Sequence, residues 1–294
     1  MTSDLVCVVT TPAVLGEGPI WSASEGLLYW VDIKGRTANA FDPRDGRNRS
    51  WALPADVGTI VPARDGGCVV ALRDGLAAFD PRSGAVRMLG ATHGHPPGKG
   101  FRFNDGKCDP AGRLWVGSMH DDAQAGAAHL YRYDRAGGIT RMVEGVTVSN
   151  GLTWSADGRT MYYVDSVTHR VDAFSFDNAT GAIADRRTVV RFPEAMGFPD
   201  GIAIDAQGML WVALWDGWRV QRCDPSNGAL LEHIAVPVAR VSACAFAGPG
   251  LDDLYITTAR VGLDAAALAG QAQAGCLFRC RPGVAGLPTH AFAG

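Results

Sequence analysis

Short apolar runs rich in β-branched and aromatic residues recur along the chain, each bounded by glycine, aspartate or proline. Tyr29–Ile33 and Met161–Asp165 are typical, and runs of this kind predict strands. Each follows a marker of the form Gly-x-x-aromatic or Gly-x-x-aliphatic. The marker opens at Gly26, Gly67, Gly112, Gly158, Gly208 and Asp252, so successive copies start 41, 45, 46, 50 and 44 residues apart. A turn precedes most markers, as in Pro110-Ala111-Gly112 and Ala206-Gln207-Gly208. A second turn follows in Phe41–Gly46, Phe79–Gly84 and Cys223–Gly228, each with Asp-Pro and a closing glycine. Proline presets φ there, and glycine supplies positive φ. Four strands per copy and six copies predict an all-β fold, a six-bladed β-propeller with four antiparallel strands per blade. Residues 1–294 read as one such domain. The only helical candidate is short, Ala265–Ala274. The N-terminal run Leu5–Val9 is expected to close the ring beside the C-terminal blade.

The innermost strand of each propeller blade borders the central channel. Residues near its start face one mouth, so equivalent positions of the repeats converge there. Eight residues before Gly112, Gly158 and Gly208 stand Asn104, Asn150 and Asp200; nine before Gly26 stands Glu17. Each is followed by Gly or Asp-Gly, which permits a bend or a close approach. The matching positions of the second and sixth copies hold Thr59 and Ser242 or Cys244. A single Asn-Gly or Asp-Gly is ordinarily a hairpin turn. Four in one register of a ring instead predict a cluster of oxygen donors, suited to a hard divalent cation. Without a cation the two carboxylates would lack compensation.

Composition narrows the classes. Hydrophobic residues make up 47% and charged residues 19%, with a net charge of −3. That excludes a disordered chain and argues against a nucleic-acid partner, which calls for a basic stripe. No apolar run reaches about 18 residues, so no membrane-spanning helix is expected. The seven cysteines are odd in number and scattered, which fits free thiols in a reducing compartment. Met1–Thr10 carries Asp4 and no basic cluster, unlike a secretory signal. The expectation is a cytoplasmic protein, a monomer or weak homo-oligomer. None of the seven histidines falls in the inner-strand register. His93 and His95 lie on a Gly/Pro loop, and no Gly-x-Ser-x-Gly or phosphate-binding loop occurs. Asp32 and Asp165 read as turn or supporting residues. Asp105 and Lys107 read as loop-ordering, with a second weak cation site as the alternative. Trp215 and Trp218 read as blade packing, with a pocket wall as the alternative.

Leu15–Trp21, Arg102–Arg113, Ser149–Ser155 and Phe198–Ile202 together resemble the gluconolactonase / senescence-marker-protein / luciferin-regenerating-enzyme family. The resemblance covers about residues 14 to 260. It implies a six-bladed propeller with one divalent metal at the channel mouth, and hydrolysis of a sugar lactone to the aldonic acid. It assigns Glu17, Asn150 and Asp200 as metal ligands, with Asp200 also the general base. Arg102 and Asn104 match a substrate-contacting pair, and Asp122 aligns with a further sugar contact. His120 is a departure beside it, so the sugar, hexonate or pentonate, depends on the loop from His120 to Ala128. The metal is open among Ca²⁺, Zn²⁺, Mn²⁺, Mg²⁺ and Fe²⁺. The alternatives are a non-catalytic calcium-binding propeller and a hydrolase of other esters.

Overall fold

The structure is a computed structural model that describes residues 5–96 and 98–294. Met1–Asp4, part of the N-terminal segment read above, and Pro97 lie outside the described residues. Six four-stranded antiparallel sheets form the blades of a β-propeller. The innermost strands are Gly16–Ser22, Val57–Pro62, Phe101–Cys108, Ser149–Trp154, Phe198–Ile204 and Val241–Ala247. Each packs against the inner strands of the blades on either side.

In five blades the strands follow in chain order. The sixth takes its outermost strand, Val6–Val9, from the N-terminal end, paired antiparallel with Leu277–Cys280. This closes the ring as expected. Among the described residues one α-helix, Ala265–Ala269, is found, and the Asp264 side chain accepts from Ala267 N at 2.8 Å at its start. It is shorter than the Ala265–Ala274 run because Gly270 ends it.

The repeat has a packing cause. The marker aromatics Tyr29, Trp115, Trp211 and Tyr255 are all fully buried. A four-stranded sheet leaves both faces apolar, and ring stacking removes them from water. Trp115 and Trp211 each donate Nε1–H to a buried aspartate, Asp109 and Asp205, at 2.9 Å. Those carboxylates are in turn paired with Arg113 and Arg222, which satisfies a buried charge. The Asp-Pro turns work as read: Asp42, Asp80 and Asp224 accept backbone N–H bonds two residues on.

The C-terminal segment crosses the end of the channel opposite the inner-strand starts. Leu287 N donates to Ile204 O, Thr289 Oγ1 to Trp21 O, and Phe292 N to Pro62 O. Beneath this strap is a cavity of about 450 Å³, bordered by Lys107, Thr153, Trp154, Phe246 and His290. Among the described residues no helix is long and apolar enough to cross a membrane. All seven cysteines are free.

Candidate active site at the mouth of the channel

Every inner strand bulges near its start. In blade 3 Asn104 and Asp105 stand opposite Gly117 alone, between the pairs Phe103–Ser118 and Gly106–Val116. Asn150 and Gly151 share one partner position in blade 4, as do Asp200 and Gly201 in blade 5. In blade 1 the shift follows Glu17 directly. A bulge frees a residue from the ladder and re-aims its side chain. The Asn-Gly and Asp-Gly pairs that resemble hairpin turns in sequence are therefore mid-strand bulges. Glycine is required there by proximity: a Cβ on Gly151 would lie 2.5 Å from Ile202 N and 2.6 Å from Asp200 O. That closeness brings Asn150 and Asp200 to the same point.

Glu17, Arg102, Asn104, Asp105, Asn150 and Asp200 are all buried. Arg102 Nη1 donates to Asn104 Oδ1 at 2.6 Å, and Asn104 Nδ2 donates to Ser149 O at 2.7 Å. Both ends of that amide are occupied within the protein. Asn150 is different. Its Nδ2 donates to Ser166 Oγ at 3.0 Å, and its Oδ1 has no partner. Asp200 Oδ1 likewise has no hydrogen-bond partner, and nor does Arg102 Nε. Glu17 Oε2 accepts from Gly18 N at 3.2 Å.

The charges explain what these open oxygens need. Burial, and then the Asp105 charge, push the Glu17 carboxyl up to about 8; Gly18 N–H and Arg102 oppose this. Burial raises Asp200 well above the usual carboxylate range, and Glu17 and Asp105 add to it; Asn150 and Arg102 pull the other way. Burial also raises Asp105. Three acids at one buried point cannot all ionise beside a single buried arginine. A divalent cation would supply the missing charge. Glu17, Asn150 and Asp200 offer two carboxylates and an amide oxygen, a hard donor set that fits such an ion. Among the described residues no group of three or more His, Cys, Asp or Glu is arranged to hold a metal; here the third donor is an amide.

The other blades close the ring without donors. Thr59 Oγ1 donates to Gly106 O at 2.9 Å, and Ser242 Oγ to Gly16 O at 2.5 Å. Asp32 accepts from Val14 N and Leu15 N, and Asp165 from Thr147 N and Val148 N. They pin the segments entering the strands of Glu17 and Asn150, a supporting role. Lys107 Nζ donates to Ile202 O and opposes the rise of Asp105. Trp215 packs against Arg240, with the guanidinium 5.1 Å from the ring centroid, while Trp218 is exposed.

The loop after Met119 places its two adjacent aspartates differently. The Asp122 side chain is 91% exposed, whereas Asp121 contacts Lys34, Arg73 and Arg102. His120 packs edge-on against Phe101 at 4.9 Å. Sequence reasoning missed Asp121 and its cations because they come from separate blades. It also missed a wall behind the Arg102 strand. There His95 stacks on Phe101 at 3.7 Å between ring centroids, and His129 stacks on His95 at 5.4 Å. The short His-Gly-His spacing was the only available signal.

The family profile described as SMP-30/Gluconolactonase/LRE-like region matches residues 15–260. The chain belongs to this family. Regucalcin of Danio rerio is 38% identical over 291 residues, covering 98% of each chain. The Bacillus subtilis protein YvrE, named provisionally as a sugar lactone lactonase, is 36% identical and covers 99% of both. A calcium-binding protein, regucalcin, from Agrobacterium tumefaciens has a solved structure with a TM-score of 0.94 at 29% identity, covering 99% of this chain and 98% of that one.

Proposed function

We propose that the protein is a metal-dependent lactonase that opens a sugar lactone to its aldonic acid. The observation that carries the reading is the pair of open oxygens, Asn150 Oδ1 and Asp200 Oδ1, buried beside Glu17 and within the field of Arg102. Names within the family, gluconolactonase and sugar lactone lactonase, support the reaction class.

Glu17, Asn150 and Asp200 would hold the cation. When bound, it supplies Lewis-acid polarisation of the lactone carbonyl and charge stabilisation of the developing oxyanion. Asp200 takes the proton of the attacking water. Its raised pKa favours the acid form in the empty site, and a nearby positive charge restores the carboxylate that a base requires. Arg102 directs its forked donors at ring or carbonyl oxygens. Asn104 holds Arg102 in place and lies where a sugar hydroxyl would bind. Asp122 is the rim contact for an outer hydroxyl, and His120 shapes the same rim. A small sugar lactone is the only partner this site requires, and the protein acts as a cytoplasmic enzyme.

The test is proton release by chelator-stripped protein on D-glucono-1,5-lactone, D-xylonolactone, L-arabinonolactone and D-galactonolactone, with each divalent metal restored in turn. Metal-restored acceleration on any of them supports the reading, and the ranking names the sugar. Acceleration by none sinks it. A second reading, a calcium-binding propeller without turnover, is favoured by the description of the Agrobacterium protein. Calcium binding with no lactone acceleration would select it.

A further inference from the structure

We infer that Asp121 is the positioning residue for Arg102 and ties the sugar-facing guanidinium to the neighbouring blades. Its catalytic consequence rests on the lactonase reading; the contact itself rests on geometry alone.

Arg102 is a buried cation with an incomplete set of partners. Nη1 is committed to Phe103 O and Asn104 Oδ1, and Nε has no hydrogen-bond partner. Its nearest carboxylate is Asp121, with Oδ1 3.7 Å from Nε. Asp121 does not serve Arg102 alone. It accepts from Arg73 Nη1 at 2.9 Å and from Lys34 Nζ at 3.2 Å. Asp56, buried, also accepts from Lys34 at 2.9 Å and binds Arg73. Arg36 contacts Asp56 from the outer side at 3.2 Å. Lys34 and Arg36 belong to the first blade, Asp56 and Arg73 to the second, and Arg102 and Asp121 to the third. Two carboxylates therefore hold four cations from three blades in one network at the mouth.

The loop is built to aim Asp121 at that network. Asp121 N donates to Gly100 O at 2.8 Å, and Ala123 N to His120 O at 2.8 Å. His120 Nδ1 accepts from Asp122 N at 3.1 Å while its ring packs on Phe101. Gly100 has φ +79°, and a Cβ there would lie 2.5 Å from His120 Nε2. His120 thus fits only against a glycine, and its packing fixes the loop. Asp121 is placed among the cations, and Asp122 is left in water.

Removing the Asp121 charge leaves Arg73 and Arg102 repelling each other with no carboxylate between them. The remaining attractions on Arg102 are then from Glu17, across the mouth, and more weakly from Asp56, which Lys34, Arg36 and Arg73 already engage. Arg102 would shift toward Glu17 and lose its aim at substrate. A positioning defect of this kind weakens binding more than it slows chemistry.

Asp121 is partly exposed, so its replacement empties no core site. Asp121→Asn and Asp121→Glu are compared with wild type in two measurements on the full chain. In lactone kinetics, Asp121→Asn should raise KM about tenfold, with kcat within about threefold, and Asp121→Glu should recover most of the loss. In ¹⁵N-edited spectra, the Arg102 Nε–H signal, assigned by its loss in Arg102→Lys, should shift or broaden in Asp121→Asn and return in Asp121→Glu. An unchanged Arg102 signal overturns the inference, and so does an unchanged KM. If wild type hydrolyses no lactone, the lactonase reading falls, and the spectra still decide the Asp121–Arg102 contact.

Discussion

Burial raises the pKa of Asp200, on the inner strand of the fifth blade, and the charge of Glu17, on that of the first, raises it further. Two acids from distant parts of the chain share one buried point, and neither relaxes without the other losing its charge or a cation arriving. This relationship gives the metal-free protein a defined pH response. Unfolded, Glu17 titrates near 4.5; folded without a cation it titrates near 8. Between those values the folded chain keeps a proton that the unfolded chain has lost. Stability therefore falls as pH rises through this window. Chelator-treated protein should melt lower at pH 8 than at pH 5, and a divalent cation should remove most of the difference. Thermal melts across that range with and without Ca²⁺ check it, and a rise in melting temperature with pH under chelation would refute it.

Asp200→Asn keeps the size and polarity of the side chain but removes the proton acceptor. Lactone turnover should fall by about 100-fold or more, the range of a lost general base. The melting temperature of the metal-free protein should hold or rise, since the folded chain no longer has to keep a buried carboxyl protonated at neutral pH. Steady-state kinetics and a melt on the same preparation test both halves, and near-full activity would remove Asp200 from the reaction.

Arg102→Lys retains the charge and loses the planar fork, which leaves Nε and Nη2 for substrate while Nη1 engages Asn104 and Phe103. KM for the lactone should rise several-fold. Titration with the aldonic acid product, read by calorimetry, reports the loss without turnover.

Gly151→Ala forces a methyl group against Ile202 N and Asp200 O. The obstacle is backbone of the adjoining inner strand, so the blades must part. We expect a loss of ~1–3 kcal/mol in denaturant unfolding, with weaker divalent-cation binding because Asn150 and Asp200 separate. Unchanged cation affinity would mean that the bulge does not set the donor spacing.

The C-terminal strap carries Phe292, which is 1% exposed and stacked on Tyr133 with centroids 5.6 Å apart. Phe292→Ala should cost ~3–5 kcal/mol. It lies at the end of the channel away from the carboxylates, so kcat and KM measured well below the melting temperature should stay near wild type. A lowered unfolding midpoint with intact kinetics is the expected pair of results.

The sequence by itself determined the fold, because the repeat is a local signal. Each marker puts a large side chain such as Trp115 or Trp211 between blades, and each Asp-Pro turn makes its own hydrogen bonds. Period and strand number can therefore be read without knowing any long-range contact. The same register argument located Glu17, Asn104, Asn150 and Asp200, since equivalent positions in a closed ring must converge. What those residues do to one another was decided by the tertiary structure. Asn104 and Asn150 look alike in sequence, yet Arg102 occupies the oxygen of one, and Ser166 holds the amide nitrogen of the other so that its oxygen stays open. Asp121 and Asp122 are adjacent and chemically identical, and the family resemblance gave a role to the second alone. The loop turns the first onto Arg73, Lys34 and Arg102, which reach it from three blades. Strand and turn preferences act over a few residues and are written in the chain order. Charge pairing acts through space, and the closed ring alone decides which charges meet.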